Sequence, residues 1–427
     1  MFAKRPRRLA CSVGILGIVA VSLALGGIET ASGSTARSSA SHTKLTAASS
    51  FYSKFTHGKA GAAHRSKAPV TIGFFDDEGG APAFPEAGVA AKAAVRFVNT
   101  NLGGIHGHPV RLDECFVTTS EQQGQACAQQ FLAKKVRVIV EQSAPLGGQA
   151  FHQALNGAIP VIIGDPVSTA DATAENSYGL TAGAFGTVPG YVNYVLKVLH
   201  AKTASLLYPS DDPTGQAVAK LFQQVLGAAG VKLTESGFSS SSPDLLPNVE
   251  ASGATSSDVT LTLFPTTSQC IAGGKALKQA NVTKPVISLG NCIAPAVKAA
   301  VGDYPKWTYV GINTSPYIGG DPAVDDYVDV MKAYAPAGAN LGGASSWAFM
   351  SILAAVRAYD LAGGPAASAK AIGSQLKSYK GPTPMFAPTV KYGSIGGMPN
   401  LPNQQTRLYA YHGKGHWSSV TGWAGTK

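Results

Sequence analysis

Asn99-Thr-Asn-Leu-Gly-Gly-Ile-His-Gly-His-Pro-Val-Arg-Leu112 carries the chain out of one kind of structure and into another. A helix-length run at about 85–99 leads in, a β-branched run at 110–115 leads out, and a Gly-Gly-Ile-x-Gly turn joins them. Upstream of the helix lies another β-branched run, 70–75, so the order is strand, helix, strand. Strands alternating with helices imply a parallel sheet built from right-handed crossovers. The alternation continues through helix-like runs at 119–134 and 148–155 and strand-like runs at 136–140 and 160–163. It then restarts, with helix-length segments at 188–199, 215–229 and 273–279 among strand-like runs at 204–208, 231–238, 258–264 and 285–289. The expected fold class is α/β, with two doubly wound parallel-sheet lobes in series, since one hydrophobic core rarely organises a chain of this length.

Near the start, Lys4, Arg5, Arg7 and Arg8 precede an apolar run at 12–27, and the small residues Ala31, Ser32 and Gly33 follow. This is the pattern of a secretory signal peptide, expected over 1–33 and cleaved near 31–36. The apolar run is shorter than the ~20 residues of a comfortable membrane span. Cys11 precedes that run, which argues against lipid attachment there. The expected location is outside the cytoplasm: extracellular, periplasmic or associated with the cell envelope.

Residues 34–68 are rich in Ser, Ala, Thr, Gly and Lys and hold no acid, so a disordered spacer is expected. The leader contributes four basic residues and one acid, and the spacer six and none; of 34 basic and 24 acidic residues in all, 24 and 23 remain for the rest. Nearly all of the formal charge of +10 therefore lies outside the expected folded part, which is close to neutral, and nucleic acid is not an expected partner.

The Gly-Gly-Ile-x-Gly turn resembles the hallmark segment of type I periplasmic binding proteins, in particular the leucine/isoleucine/valine-binding kind that serves ABC transporters. The order of later segments is also similar: Val136-Arg-Val-Ile-Val-Glu-Gln-Ser143, Ile159-Pro-Val-Ile-Ile163, Ala204-Ser-Leu-Leu-Tyr208 before Asp211-Asp-Pro-Thr-Gly215, and Pro285-Val-Ile-Ser-Leu-Gly290. The resemblance implies three crossings between lobes, near 178–189, 309–318 and 384–392. Lobe 1 is then 69–183 with 316–386, and lobe 2 is 184–315 with 387–427, closed by a hairpin at 407–417. It implies a monomer that closes around a small polar ligand and passes it to an ABC transporter permease, touching a membrane only through that partner and using no cofactor.

Ligands of open α/β sheets bind beyond the carboxyl ends of the strands, so the loops there are the candidate site. The resemblance places Phe84 against the ligand and a carboxylate-binding hydroxyl at Ser168 or Thr169. Ser143 and Ala144 offer a hydroxyl and free amides at a helix start. In the second lobe, Asp212 and Thr214, then Thr266, stand where the family commonly has aromatic residues. Asn291, within Gly290-Asn-Cys292, stands where amino-acid binders place a carboxylate for the ammonium. That departure points to a carboxylate or amide ligand without an obligatory ammonium, unless Asp76, Asp77, Glu78, Asp211 or Asp212 supplies the charge. Helix capping is the alternative role for each Ser and Thr, and it is compatible with binding because both use the same orphan amides.

Four cysteines besides Cys11 allow three pairings. Each of Cys115 with Cys127 and Cys270 with Cys292 falls within one strand–helix region, so two local disulfides are expected, and an exported protein keeps them. No Cys-x-x-Cys pair suggests a metal. His106 and His108 bracket a turn glycine and are read as solvated, so no metal ligands are expected. No Gly-x-Ser-x-Gly, His-Glu-x-x-His or phosphate-loop motif occurs, and Glu141 with Ser143 has no histidine in a comparable loop, so an enzyme is not expected. A sensory protein acting through a separate membrane partner is the remaining alternative.

Overall fold

The computed structural model describes residues 33–424, so the expected signal peptide, Gly33 apart, lies outside the described residues. The chain divides into two units, 1–40 and 41–427, and the account below concerns the second.

Helix α1 (Gly33–Thr56) occupies much of what composition suggests is a disordered spacer. That expectation is corrected for the side chains from Leu45 onward. Ala48, Tyr52 and Thr56, one helical turn apart, are fully buried. The Tyr52 ring packs edge-on against Phe97 and Phe349 with centroids 5.9 and 5.4 Å away, and its hydroxyl donates to the Ala323 carbonyl at 3.1 Å. After the helix, residues 61–67 run along the Gly-Gly turn: Gly103 N donates to the Gly61 carbonyl and Ala63 N to that of Asn99. The turn must be glycine. Gly103 and Gly104 have φ of +74° and +64°, and a Cβ on them would sit 2.5 Å from the Lys59 carbonyl oxygen and 2.0 Å from that of His108. Tyr52→Ala should lower unfolding free energy by about 3–5 kcal/mol, the cost of removing a buried aromatic ring. Urea unfolding measures this, and a loss below about 1 kcal/mol would mean that α1 is not part of the core.

Strands β1 (Val70–Asp77), β2 (Val110–Val117), β3 (Ile139–Glu141), β4 (Val161–Ile163) and β5 (Ser177–Gly179) run parallel in the order β2-β1-β3-β4-β5. Helices α2 (Pro85–Asn101), α3 (Glu121–Ala133), α4 (Gly148–Leu155) and α5 (Thr169–Thr173) make the crossovers. Alternate residues feed opposite faces: Ile72, Phe74, Val140 and Ile162 join one core, and Phe75, Ile139, Val161 and Ile163 the other. Both faces are covered, as a parallel sheet requires.

The chain then builds a second sheet. Helix α6 (Gly183–Asn193), β6 (Thr203–Pro209), α7 (Pro213–Ala228), β7 (Lys232–Phe238), α8 (Leu246–Ala251), β8 (Val259–Thr262), α9 (Thr267–Gln279), β9 (Val286–Leu289), α10 (Pro295–Val301) and β10 (Thr308–Gly311) follow in turn. Helices α11 (Pro322–Tyr334), α12 (Ala344–Leu361) and α13 (Ala369–Lys377) return to the first sheet, where α12 packs on α2, β3 and β4. The antiparallel hairpin β11 (Arg407–Gly413) and β12 (His416–Ser419) then completes the order β12-β11-β10-β9-β8-β6-β7.

Three connections join the sheets, and two of them pair: Asn313 bridges Phe386, and Thr314 N donates to the Met385 carbonyl at 2.7 Å. Part of the stretch expected with the second lobe also rests on the first sheet, where Tyr392 Oη donates to the Gly179 carbonyl and Asn400 Nδ2 to that of Asp171. Both expected disulfides form: Cys115–Cys127 ties β2 to α3, and Cys270–Cys292 ties α9 to the turn after β9.

Candidate functional site

Leaving aside the hairpin, the second sheet reads β7-β6-β8-β9-β10, which is the first sheet's order repeated. Each therefore reverses its winding beside its first strand, between β1 and β3 and between β6 and β8, and a crevice opens at the carboxyl ends there. A cavity of about 80 Å³ lies between these two edges. From the first sheet come Phe84, Ser143, Asp165 and Trp347; from the second come Pro209, Asp212, Thr214, Pro265 and Asn291, with Asn313 at a crossing.

Five of the expected residues thus meet at one wall or the other: Phe84, Ser143, Asp212, Thr214 and Asn291. Four do not. Ala144 is buried in the first sheet's core, and its neighbour Pro145 reaches the cavity instead. Ser168 and Thr169 line an adjoining hollow that shares Pro145, Val167 and Thr214 with the cavity. Ser168 caps α5, its Oγ accepting from Asp171 N at 3.0 Å. Thr266 caps α9 in the same way, accepting from Gln269 N, while Pro265 forms the wall. Ser168 and Thr266 thus cap helices outside the lining of this cavity. Asn291 is half committed, its Nδ2 donating to the Pro265 carbonyl at 2.9 Å. Sequence reasoning missed Asp165 and Trp347. Asp165 lies three residues before Ser168, and its acidity was the available signal.

The wall is acidic and otherwise mostly apolar, with no Lys, Arg or His in it among the described residues. Burial holds the Asp165 carboxyl well above the usual range, with Asp171 adding to the effect. Burial also pushes Asp212 up to about 6, although N–H groups of Thr214 and Gly215 pull the other way. Asp165 Oδ1 and Trp347 Nε1 are buried without a hydrogen-bond partner among the described residues. A native fold rarely leaves such atoms unsatisfied. Of the loop acids considered as replacement charges, Asp212 reaches the cavity and Asp76, Asp77, Glu78 and Asp211 do not. Asp211 instead accepts from Ser240 N and from the hydroxyls of Ser239 and Ser240.

Behind the Ser143 loop, Glu141 meets a histidine after all. His152 on α4 places Nε2 2.9 Å from Glu141 Oε2 and 3.4 Å from Asp171 Oδ1, with all three side chains buried. Burial opposes charge on His152, but the two carboxylates outweigh it and raise the imidazole to about 10.

The sequence model of one family, described as periplasmic binding protein, matches residues 69–402. No curated protein matches the chain. Among solved structures, a branched chain amino acid ABC transporter protein from Thermus thermophilus with bound valine superposes with a TM-score of 0.73 at 13% identity, covering 84% of this chain and 97% of that one. A fatty acid ABC transporter substrate-binding protein from Thermomonospora curvata gives 0.71 at 15% identity, covering 87% and 95%. A solute binding protein from R. palustris in complex with benzoate gives 0.69 at 14%, covering 84% and 97%. At these identities the likeness is one of fold.

Proposed function

Because the chain belongs to the periplasmic binding protein family, we propose that it is an exported solute-binding protein that captures a small amino acid and delivers it to an ABC transporter permease. One observation carries the reading: a small acidic cavity between the carboxyl edges of two sheets, bearing an unpartnered carboxyl oxygen and an unpartnered indole N–H. The size supports it, since about 80 Å³ holds roughly five to eight water-sized groups, enough for a short amino acid and too few for a long acyl chain. The charge supports it too. Asp212, joined by Asp165 when an ammonium beside it offsets its burial, supplies the anionic partner that Gly290-Asn-Cys292 lacks, while the Ser143 hydroxyl and Trp347 N–H serve a carboxylate.

The sheets with their helices act as lobes, and the three connections near 180–183, 312–315 and 386–406 act as the hinge. Ligand contacts made only when both lobes meet shift an open–closed equilibrium toward closed. Solution scattering on the exported protein with a panel of amino acids should show a smaller radius of gyration with the ligand than without. The same ligand should raise the melting temperature, because it binds only the folded form. Turnover of a panel compound without compaction would replace this reading with an enzymatic one.

A further inference from the structure

We infer that Glu141, His152 and Asp171 form a binding site for one divalent transition-metal ion of the zinc type, beneath the loop that carries Ser143. The three donors come from three elements, the end of β3, the middle of α4 and the first turn of α5. One ligand atom from each lies within 4.8 Å of the others. Metal–ligand bonds of about 2.0–2.2 Å at angles of 90–110° separate donor atoms by roughly 3–3.5 Å. The Nε2 distances of 2.9 Å to Glu141 and 3.4 Å to Asp171 fit that spacing.

The ring turns Nε2 toward the two carboxylates and Nδ1 toward Ser177 Oγ, 3.4 Å away and within reach of an Nδ1 proton. A metal-bound histidine characteristically donates its other N–H to an outer acceptor in this way. Nε2 faces both carboxylates, so that one donor atom from each of the three side chains is turned toward the same spot.

Glu141 Oε1 is an independent sign. It is buried and takes part in no hydrogen bond, and it is not the oxygen facing His152. It borders the spot one carbon out from Gly148, which lies 3.6 Å from Glu141 Oε1, 3.6 Å from Asp171 Oδ1 and 3.7 Å from Ser168 Oγ. Glycine keeps that spot free of carbon. A divalent ion held by the imidazole nitrogen and the two carboxylates takes the place of the proton that the ion-free triad holds on His152. Ser168 lines the outer hollow and donates to Asp171 Oδ1 at 2.5 Å, which marks the way in.

The test uses the whole exported chain, stripped with a chelator and then equilibrated with zinc alone. About one zinc per chain should be retained, with a raised melting temperature, and His152→Gln and Glu141→Gln should each cut retention about tenfold or more. Zinc-edge anomalous diffraction on wild-type crystals locates the ion without relying on a variant and should place it among the three side chains. A stripped protein that takes up no zinc would show a proton-held triad instead. Retention unaffected by either variant, or an anomalous peak at surface histidines, would equally overturn the site.

Discussion

The protein should melt at progressively higher temperature as pH falls from about 9 to about 5. Burial raises Asp77 to about 9, Asp360 to about 7 and Asp212 to about 6, and it holds Asp76 and Asp165 well above the usual range. In the unfolded chain these carboxyls lose their protons near pH 3.9. Between about pH 4 and each folded value the native state therefore binds more protons, and stability falls as pH rises. For Asp212 alone a shift of about two units corresponds to roughly 3 kcal/mol, and Asp77, shifted further, contributes more. Below pH 4 the trend reverses, because hydrogen bonds to Asp211, Asp258 and Asp303 hold those carboxyls low. Melting curves from pH 4 to 9 give the answer. Asp77→Asn should flatten the upper part of the profile, and wild-type stability that climbs toward pH 9 would contradict the account.

Asp212→Asn should weaken binding of an α-amino acid by at least about 30-fold, and Asp165→Asn should do likewise. Removing one partner of a buried charged hydrogen bond costs about 2–5 kcal/mol, most of it from the charge left unpaired. The same Asp212→Asn variant should be more stable than wild type above pH 6. Asparagine keeps the cap to Thr214 N, made at 2.8 Å, and needs no proton to sit in a buried place. Weaker binding with greater stability distinguishes a ligand contact from a structural one. Calorimetry with leucine, isoleucine and valine beside their 2-oxo acids measures it. Tighter binding of the 2-oxo acids, unchanged in both variants, would return the ligand to a carboxylate without an ammonium.

What was legible in the sequence is what local pattern determines. The helix at Gly148–Leu155, the Gly-Gly turn and the two cysteine pairs each depend on residues close together in the chain. The docking of α1 was not read, because its composition is polar, yet Ala48, Tyr52 and Thr56 stand at a four-residue spacing that marks a buried stripe. Ser168 and Thr266 show a different limit. A hydroxyl at a helix start reads the same in sequence whether it caps, binds or does both, and only the direction of the loop shows whether it faces the cavity. Trp347 lies on α12, and its arrival at the cavity depends on that helix packing against β3 and β4, which are distant in the chain.

The two disulfides have a mechanical consequence. Each closes a loop within the territory of a single sheet, and among the described residues no covalent bond links one sheet to the other outside the main chain. The opening and closing proposed above would then leave every crosslink intact. A reducing environment would shorten the protein's working life by loosening each half from within, yet leave the grip on its cargo unchanged for as long as the halves stay folded.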